Sequence, residues 1–227
     1  MSYSRTLFPL QYPTEHELTS SMAGIGMNFA SLPSSNPNIE DTLLYASIDG
    51  MDHEDLRTLS ILTNWMGVHF GVVNVDRLKH IVEKVPSERV KAYWASIARW
   101  LQKDRRFIKM TSLYAGERIP LLSSGTDFQI SRVGEDERFL DAPLRVPSNA
   151  LRRRSSDILA PKDVACMHDA YRWRVTIGPT YRADMWAELE KESDLSTSEL
   201  ARKAYGSFAT AWKVKKDWNL VRAPESR

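Results

Sequence analysis

The chain has 227 residues, 42% of them hydrophobic, and a formal net charge of +2, enough apolar material for one or two cored domains. No apolar run approaches the ~20 residues needed to span a bilayer, and no charged region followed by an apolar core marks a signal at the N-terminus, so a cytoplasmic location is expected. A single cysteine, Cys166, excludes an intramolecular disulfide and a cysteine-built zinc site, and reads as a buried structural thiol.

Charge is uneven along the chain. Residues 1–76 carry −7, residues 77–118 carry +7, residues 119–149 carry −2 and residues 150–227 carry +4. Such alternation fits either internal complementarity or a device that keeps nucleic-acid binding weak and specific.

Residues 1–38 hold Pro9, Pro13, Pro33, Pro37 and many serines. They read as an arm that is ordered only where it packs on a neighbour. Residues 39–122 read as a winged-helix-like domain. Asp52 is placed to cap a helix running to Met66, with Leu56, Leu59, Leu62 and Met66 on one face. Val72 and Val73 suit a brief strand, and Asn74 caps a helix with Leu78, Ile81, Val82 and Val85 inward. Ser87 caps a third helix, whose inward stripe is Val90, Tyr93, Trp94, Ile97, Ala98 and Leu101. Lys91, Ser96, Arg99 and Lys103 then face outward. Phe107 to Tyr114, a turn at Ala115 and Gly116, and Arg118 to Leu122 suit a hairpin wing. Arg105, Arg106 and Lys109 would stand where a phosphate backbone passes the wing.

Residues 123–170 read as a β-rich connector, with a turn at Gly134 to Glu137 and with Pro143 and Pro147 against continuous helix. Its three arginines, Arg152, Arg153 and Arg154, suit phosphate contact.

Residues 171–227 read as a three-helix unit of helix-turn-helix type. Pro179 and Thr180 precede a first helix carrying Ala183, Met185, Trp186 and Leu189. Ser196 and Glu199 have the spacing of a capping box, so a second helix starts at Thr197. Gly206 supplies a left-handed turn and Ser207 caps the third helix. In that helix Phe208, Ala211, Val214 and Trp218 face inward, while Ala209, Thr210, Lys213, Lys216 and Asp217 face outward. Short side chains permit groove approach and ammonium groups neutralise phosphates, so Ser207, Ala209, Thr210, Lys213 and Lys216 are the candidate reading residues. After Trp218 there is room for one short strand at Leu220 to Arg222, not for a two-stranded wing.

Chemistry of other kinds is weakly signalled. The five histidines lack metal-site spacing, Gly24-Ile25-Gly26 lacks the third glycine of a dinucleotide loop, and no nucleophile elbow surrounds a serine. No enzyme activity, cofactor or metal is expected.

At residues 171–184 the letters YRWRVTIGPTYRAD carry Arg172-x-Arg174, Gly178 and Arg182-Ala183-Asp184 ahead of the three-helix unit. Arg172 and Arg174 read as lying on an extended segment. This pattern resembles bacterial winged-helix regulators of the antitoxin type, found beside nucleotidyltransferase-like toxins in abortive-infection systems. The resemblance covers residues 171–221. It implies transcriptional autoregulation and a toxin partner, with the helix from Phe208 to Trp218 entering the groove.

The expected fold class is therefore α+β, predominantly α: two winged-helix or helix-turn-helix units joined by the β-rich connector. The expected function is a sequence-specific DNA-binding regulator, antitoxin-like and homodimeric, with DNA as partner and no membrane. The alternative is a protein-interaction module, toxin-neutralising or scaffolding, that uses the same helices without DNA.

Overall fold

A computed structural model describes residues 11–222, in which helices dominate and the only sheet has two short strands. Residues 1–10 of the expected arm, and the tail beyond Arg222, lie outside the described residues.

Part of the rest of the expected arm is core. A capping box between Thr14 and Glu17 starts α1 (Glu15–Gly24), and Leu18, Met22, Ile25 and Met27 are buried in the main cluster. Asn38 caps α2 (Ile39–Asp52), which buries Leu43, Leu44, Ala46 and Met51. Asp52 thus ends a helix instead of starting one, and Asp55 caps α3 (Leu56–His69). The caps expected at Asn74 and Ser87 are present on α4 (Val75–Glu83) and α5 (Glu88–Trp100). Their inward stripes are buried as read, except that Leu101 is only half-buried.

Large aromatic groups fill this core and keep their polar ends satisfied, as burial demands. Trp65 Nε1 donates to the Ile25 carbonyl at 2.8 Å and Trp94 Nε1 to Ser47 Oγ at 2.8 Å. Ser96, expected outside, is buried: its hydroxyl donates to the Ala92 carbonyl and accepts from the Leu144 amide.

No wing forms at 105–122. The segment Arg105–Leu113 is a 3-10 helix capped by Asp104. With three residues per turn, Phe107, Met110 and Leu113 fall on one line, and all three are buried. Phe70–Val72 is likewise 3-10, in place of the brief strand expected at Val72 and Val73. The returning strand of the expected hairpin is β1 (Ile119–Pro120), which pairs in parallel with β2 (Leu144–Arg145).

The connector is mostly not β. It contains α6 (Thr126–Val133), two 3-10 turns and α7 (Pro161–Met167). Gly134 turns with φ +80°, as the turn there requires. Cys166 on α7 is exposed, contrary to a buried thiol.

One local device occurs twice. In Asp104-Arg105-Arg106 and Asp136-Glu137-Arg138 the aspartate caps a 3-10 helix by accepting the amide two residues on, and also binds that residue's guanidinium. Each arginine then reaches across the fold. Arg106 donates to the carbonyls of Phe70, Gly71 and Val73, and Arg138 to that of Leu151.

Residues 171–177 are helical, within α8 (Asp169–Ile177), not extended. Gly178, at φ +89°, turns the chain into α9 (Tyr181–Lys191), followed by α10 (Thr197–Lys203) and α11 (Phe208–Arg222). The strand expected at Leu220 to Arg222 is the end of α11. These last three helices bury a second cluster built from Met185, Trp186, Leu189, Leu200, Val214 and Trp218.

Candidate nucleic-acid interface

The C-terminal unit consists of α9, α10 and α11, the last two joined by a tight turn. The Ser196–Glu199 capping box starts α10, and four residues, Ala204 to Ser207, separate it from α11. The left-handed residue of this turn is Tyr205, at φ +53°, and not Gly206. Gly206 serves close packing instead: a Cβ there would press on the terminal methyl of Met185. The turn therefore presses on α9. Ser207 Oγ accepts from the Thr210 amide at 3.1 Å and so caps α11.

On α11, Ala211, Val214 and Trp218 are buried, as the periodicity reads. Phe208, expected inward, is 45% exposed, and Trp212 is 54% exposed. Ala209, Lys213 and Lys216 are exposed, whereas Ser207 and Thr210 are half-buried. Among the described residues, neither Lys213 nor Lys216 has a carboxylate within ion-pair reach. Lys216 instead lies 5.9 Å from the Trp212 ring. The acid of the same helix, Asp217, is engaged by Arg182 at 2.8 Å, and Lys215 turns back to the Leu195 carbonyl. The outward face is thus basic, flanked by aromatic side chains.

A buried ionic clamp holds this unit to the larger body. Arg174 on α8 donates to Glu40 of α2 at 2.6 and 2.9 Å and to Asp184 of α9 at 2.7 and 2.9 Å, with the Val72 carbonyl at 3.1 Å. Arg77 of α4 pairs with Asp41 and lies 3.8 Å from Glu40. Its guanidinium stacks 3.9 Å from the ring of Tyr205, whose hydroxyl donates to Asp41 at 2.9 Å. The turn between α10 and α11 is thereby anchored on α2. Burial opposes ionisation of Glu40, but Arg174, Arg77 and the Asn74 amide outweigh it and hold the carboxyl below its usual range.

The motif at 172–184 therefore has a structural account. Arg174 and Asp184 bind each other inside the clamp, while Arg172 and Arg182 form partly exposed pairs with Glu190 and Asp217.

Two histidines complete the joint. His168 Nδ1 accepts the Tyr171 amide at 3.1 Å and so caps α8, while Nε2 donates to the Pro37 carbonyl at 2.9 Å. His69 Nε2 stands 3.1 Å from the Leu159 carbonyl, which can only accept. The proton is therefore on Nε2, and Nδ1 accepts the Tyr171 hydroxyl at 2.7 Å. Burial, partly offset by the Leu159 and Pro37 carbonyls, lowers both imidazoles from 6.5 to about 4. Burial also pushes the Tyr171 hydroxyl up to about 12.

The other expected contact residues do not gather with α11 into one described surface. Lys91 pairs with Glu88 and Lys109 with Asp76, Arg106 is the staple described above, and Arg99 donates to the Asp141 carbonyl. Arg105 is exposed, without a bond from its side chain among the described residues. Arg152, Arg153 and Arg154 are exposed on a loop fixed to α3: the Arg152 amide donates to Ser60 Oγ at 3.2 Å and its carbonyl accepts from Asn64 at 2.8 Å.

Helical periodicity gives Phe208 to the core, and so misses the aromatic flank of the basic face. Lys216 one turn beyond Trp212 is the signal that places them together. No helix among the described residues is long and apolar enough to cross a membrane. No protein-family model, curated protein or solved structure matches this chain.

Proposed function

We propose that this protein is a sequence-specific DNA-binding regulator that presents α11 to the major groove. The observation that carries the reading is the outward face of α11, where Lys213 and Lys216 project without acidic partners beside the small Ala209. Lysines placed so neutralise phosphates, and Ser207, Ala209 and Thr210 at the helix N-terminus leave space for base edges. The clamp at Arg174 supports the same reading, because a reading helix needs a rigid mount. A homodimer fits this role, since a single unit of this size seldom reaches regulatory affinity alone. Autoregulation of the antitoxin kind belongs to the proposal.

Titration of the full chain on its own upstream DNA, followed by fluorescence anisotropy at 50 and 200 mM salt, tests it. Affinity should fall steeply with salt, and Lys213→Ala/Lys216→Ala should reduce the salt slope by about 2. Binding indifferent to salt and to both lysines would overturn the reading.

A second reading, a protein-interaction module that neutralises a toxin or acts as a scaffold, is favoured by the exposed Phe208, Trp212, Leu220 and Val221 on the same helix. Trp212→Ala distinguishes the two. It should cost a protein partner far more affinity than it costs DNA.

A further inference from the structure

We propose that the arginine-lined cleft between the start of α3 and the loop 148–154 binds a small phosphate-bearing ligand. The cleft has two lobes. The first, of about 480 Å³, is bordered by Arg57, Arg152 and Arg154 against a single acid, Asp157. The second, of about 590 Å³, shares Asn149, Arg152 and Arg154 with the first and extends to Arg138 and Arg153, with Glu135, Asp136 and Glu137 also on its wall. Both volumes lie in the range of small-molecule sites.

The cations divide by whether they are already neutralised. Arg138 is bound by Asp136 at 2.6 Å and Arg153 by Glu137 at 3.0 Å. Arg57, Arg152 and Arg154 have no carboxylate within ion-pair reach among the described residues. Three guanidiniums that border one hollow repel one another unless an anion enters. Planar, two-pronged donors match phosphate oxygens, and a dianion suits three of them better than a carboxylate does.

A second observation concerns Arg138, which lines the larger lobe. The Arg138 side chain is 2% exposed. Its Nε and Nη2 are bound by Asp136 and the Leu151 carbonyl, but its Nη1 is buried with no hydrogen-bond acceptor among the described residues. Buried donors are almost always paired, so an unpaired one beside a cationic hollow marks a place where an acceptor is gained on binding.

The walls are built to hold still. Ser60 and Asn64 of α3 grip the backbone of Arg152, and Asn149 turns the loop at φ +65°.

Isothermal titration calorimetry of the full chain with inorganic pyrophosphate, inorganic phosphate and a short DNA duplex tests the site. Pyrophosphate should bind saturably at one site per chain, more tightly than phosphate. Arg152→Ala/Arg154→Ala should weaken it at least tenfold, and so should Arg57→Gln, whose exposed position keeps a folded variant available. Lys213→Ala/Lys216→Ala should leave pyrophosphate binding unchanged, which separates this site from the DNA-reading helix. Absence of saturable pyrophosphate binding at millimolar concentration would overturn the proposal. So would binding that survives the arginine substitutions, or arginine variants that lose duplex affinity while pyrophosphate never binds.

Discussion

Residues 77–118 and 150–227 are both basic in sequence, yet the fold pairs a larger share of the cations in the first block than of those described in the second. In the first block Arg77 meets Glu40 and Asp41, Arg89 meets Glu54 and Lys109 meets Asp76, so part of its positive charge is returned to the acidic first segment. In the second, Arg174 reaches Glu40 and Arg182 pairs within the block with Asp217, but Lys213 and Lys216 on α11, and Arg152 and Arg154 on the loop, remain outside any ion pair among the described residues. Part of the charge alternation in sequence is thus internal complementarity in the larger body. What is left unpaired, and not what is basic, marks the candidate surfaces.

The comparison breaks most severely at the clamp. Arg174→Met would leave Glu40 and Asp184 buried without their shared partner, so a loss of about 3–5 kcal/mol is expected, read as a lower urea midpoint. A loss near zero would mean that the two bodies do not depend on this joint.

The histidine joint gives the next effect. Because the native imidazoles are lowered to about 4 from an ordinary 6.5, the unfolded chain binds more protons between those values. Stability is therefore full above pH ~6.5 and falls as pH drops toward 4, by up to ~3 kcal/mol for each histidine. Urea titrations at pH 7 and pH 4.5 check this, and His69→Gln should flatten the difference. A pH-independent midpoint over that window would contradict neutral, buried imidazoles.

Smaller still is Gly206→Ala. The added methyl meets the flexible end of Met185, which can yield, so a cost of about 1 kcal/mol is expected. Thermal melts of the variant would show it. At the low end, Lys91→Ala and Lys109→Ala remove exposed pairs and should change stability by no more than ~1 kcal/mol, with DNA affinity unaltered.

Much of the helical frame was legible because caps are local. Asn74, Ser87 and the Ser196–Glu199 box each declare a helix within four residues. The Thr14–Glu17 box and the Asn38 cap were equally local, but prolines and serines nearby drew the segment toward an arm. The wing was misread because Phe107, Met110 and Leu113, embedded in a strand-like composition, repeat every three residues, a period between those of strand and α-helix. Long-range partners were not legible at all. Nothing near Arg174 points to Glu40, 134 residues away, and nothing near Arg152 tells which helix its loop grips. The reading face of α11 was partly visible: Lys213 and Lys216 follow from periodicity, while the exposure of Phe208 depends on how the turn docks against α2.

The contrast between the paired and unpaired lysines is tested most directly by lysine acetylation footprinting of the full chain, with and without its upstream DNA, read by mass spectrometry. Lys213 and Lys216 should become protected by DNA while Lys91 and Lys109 keep their reactivity. Protection of Lys91 and Lys109 with α11 still reactive, or no protection anywhere at saturating DNA, would contradict the account.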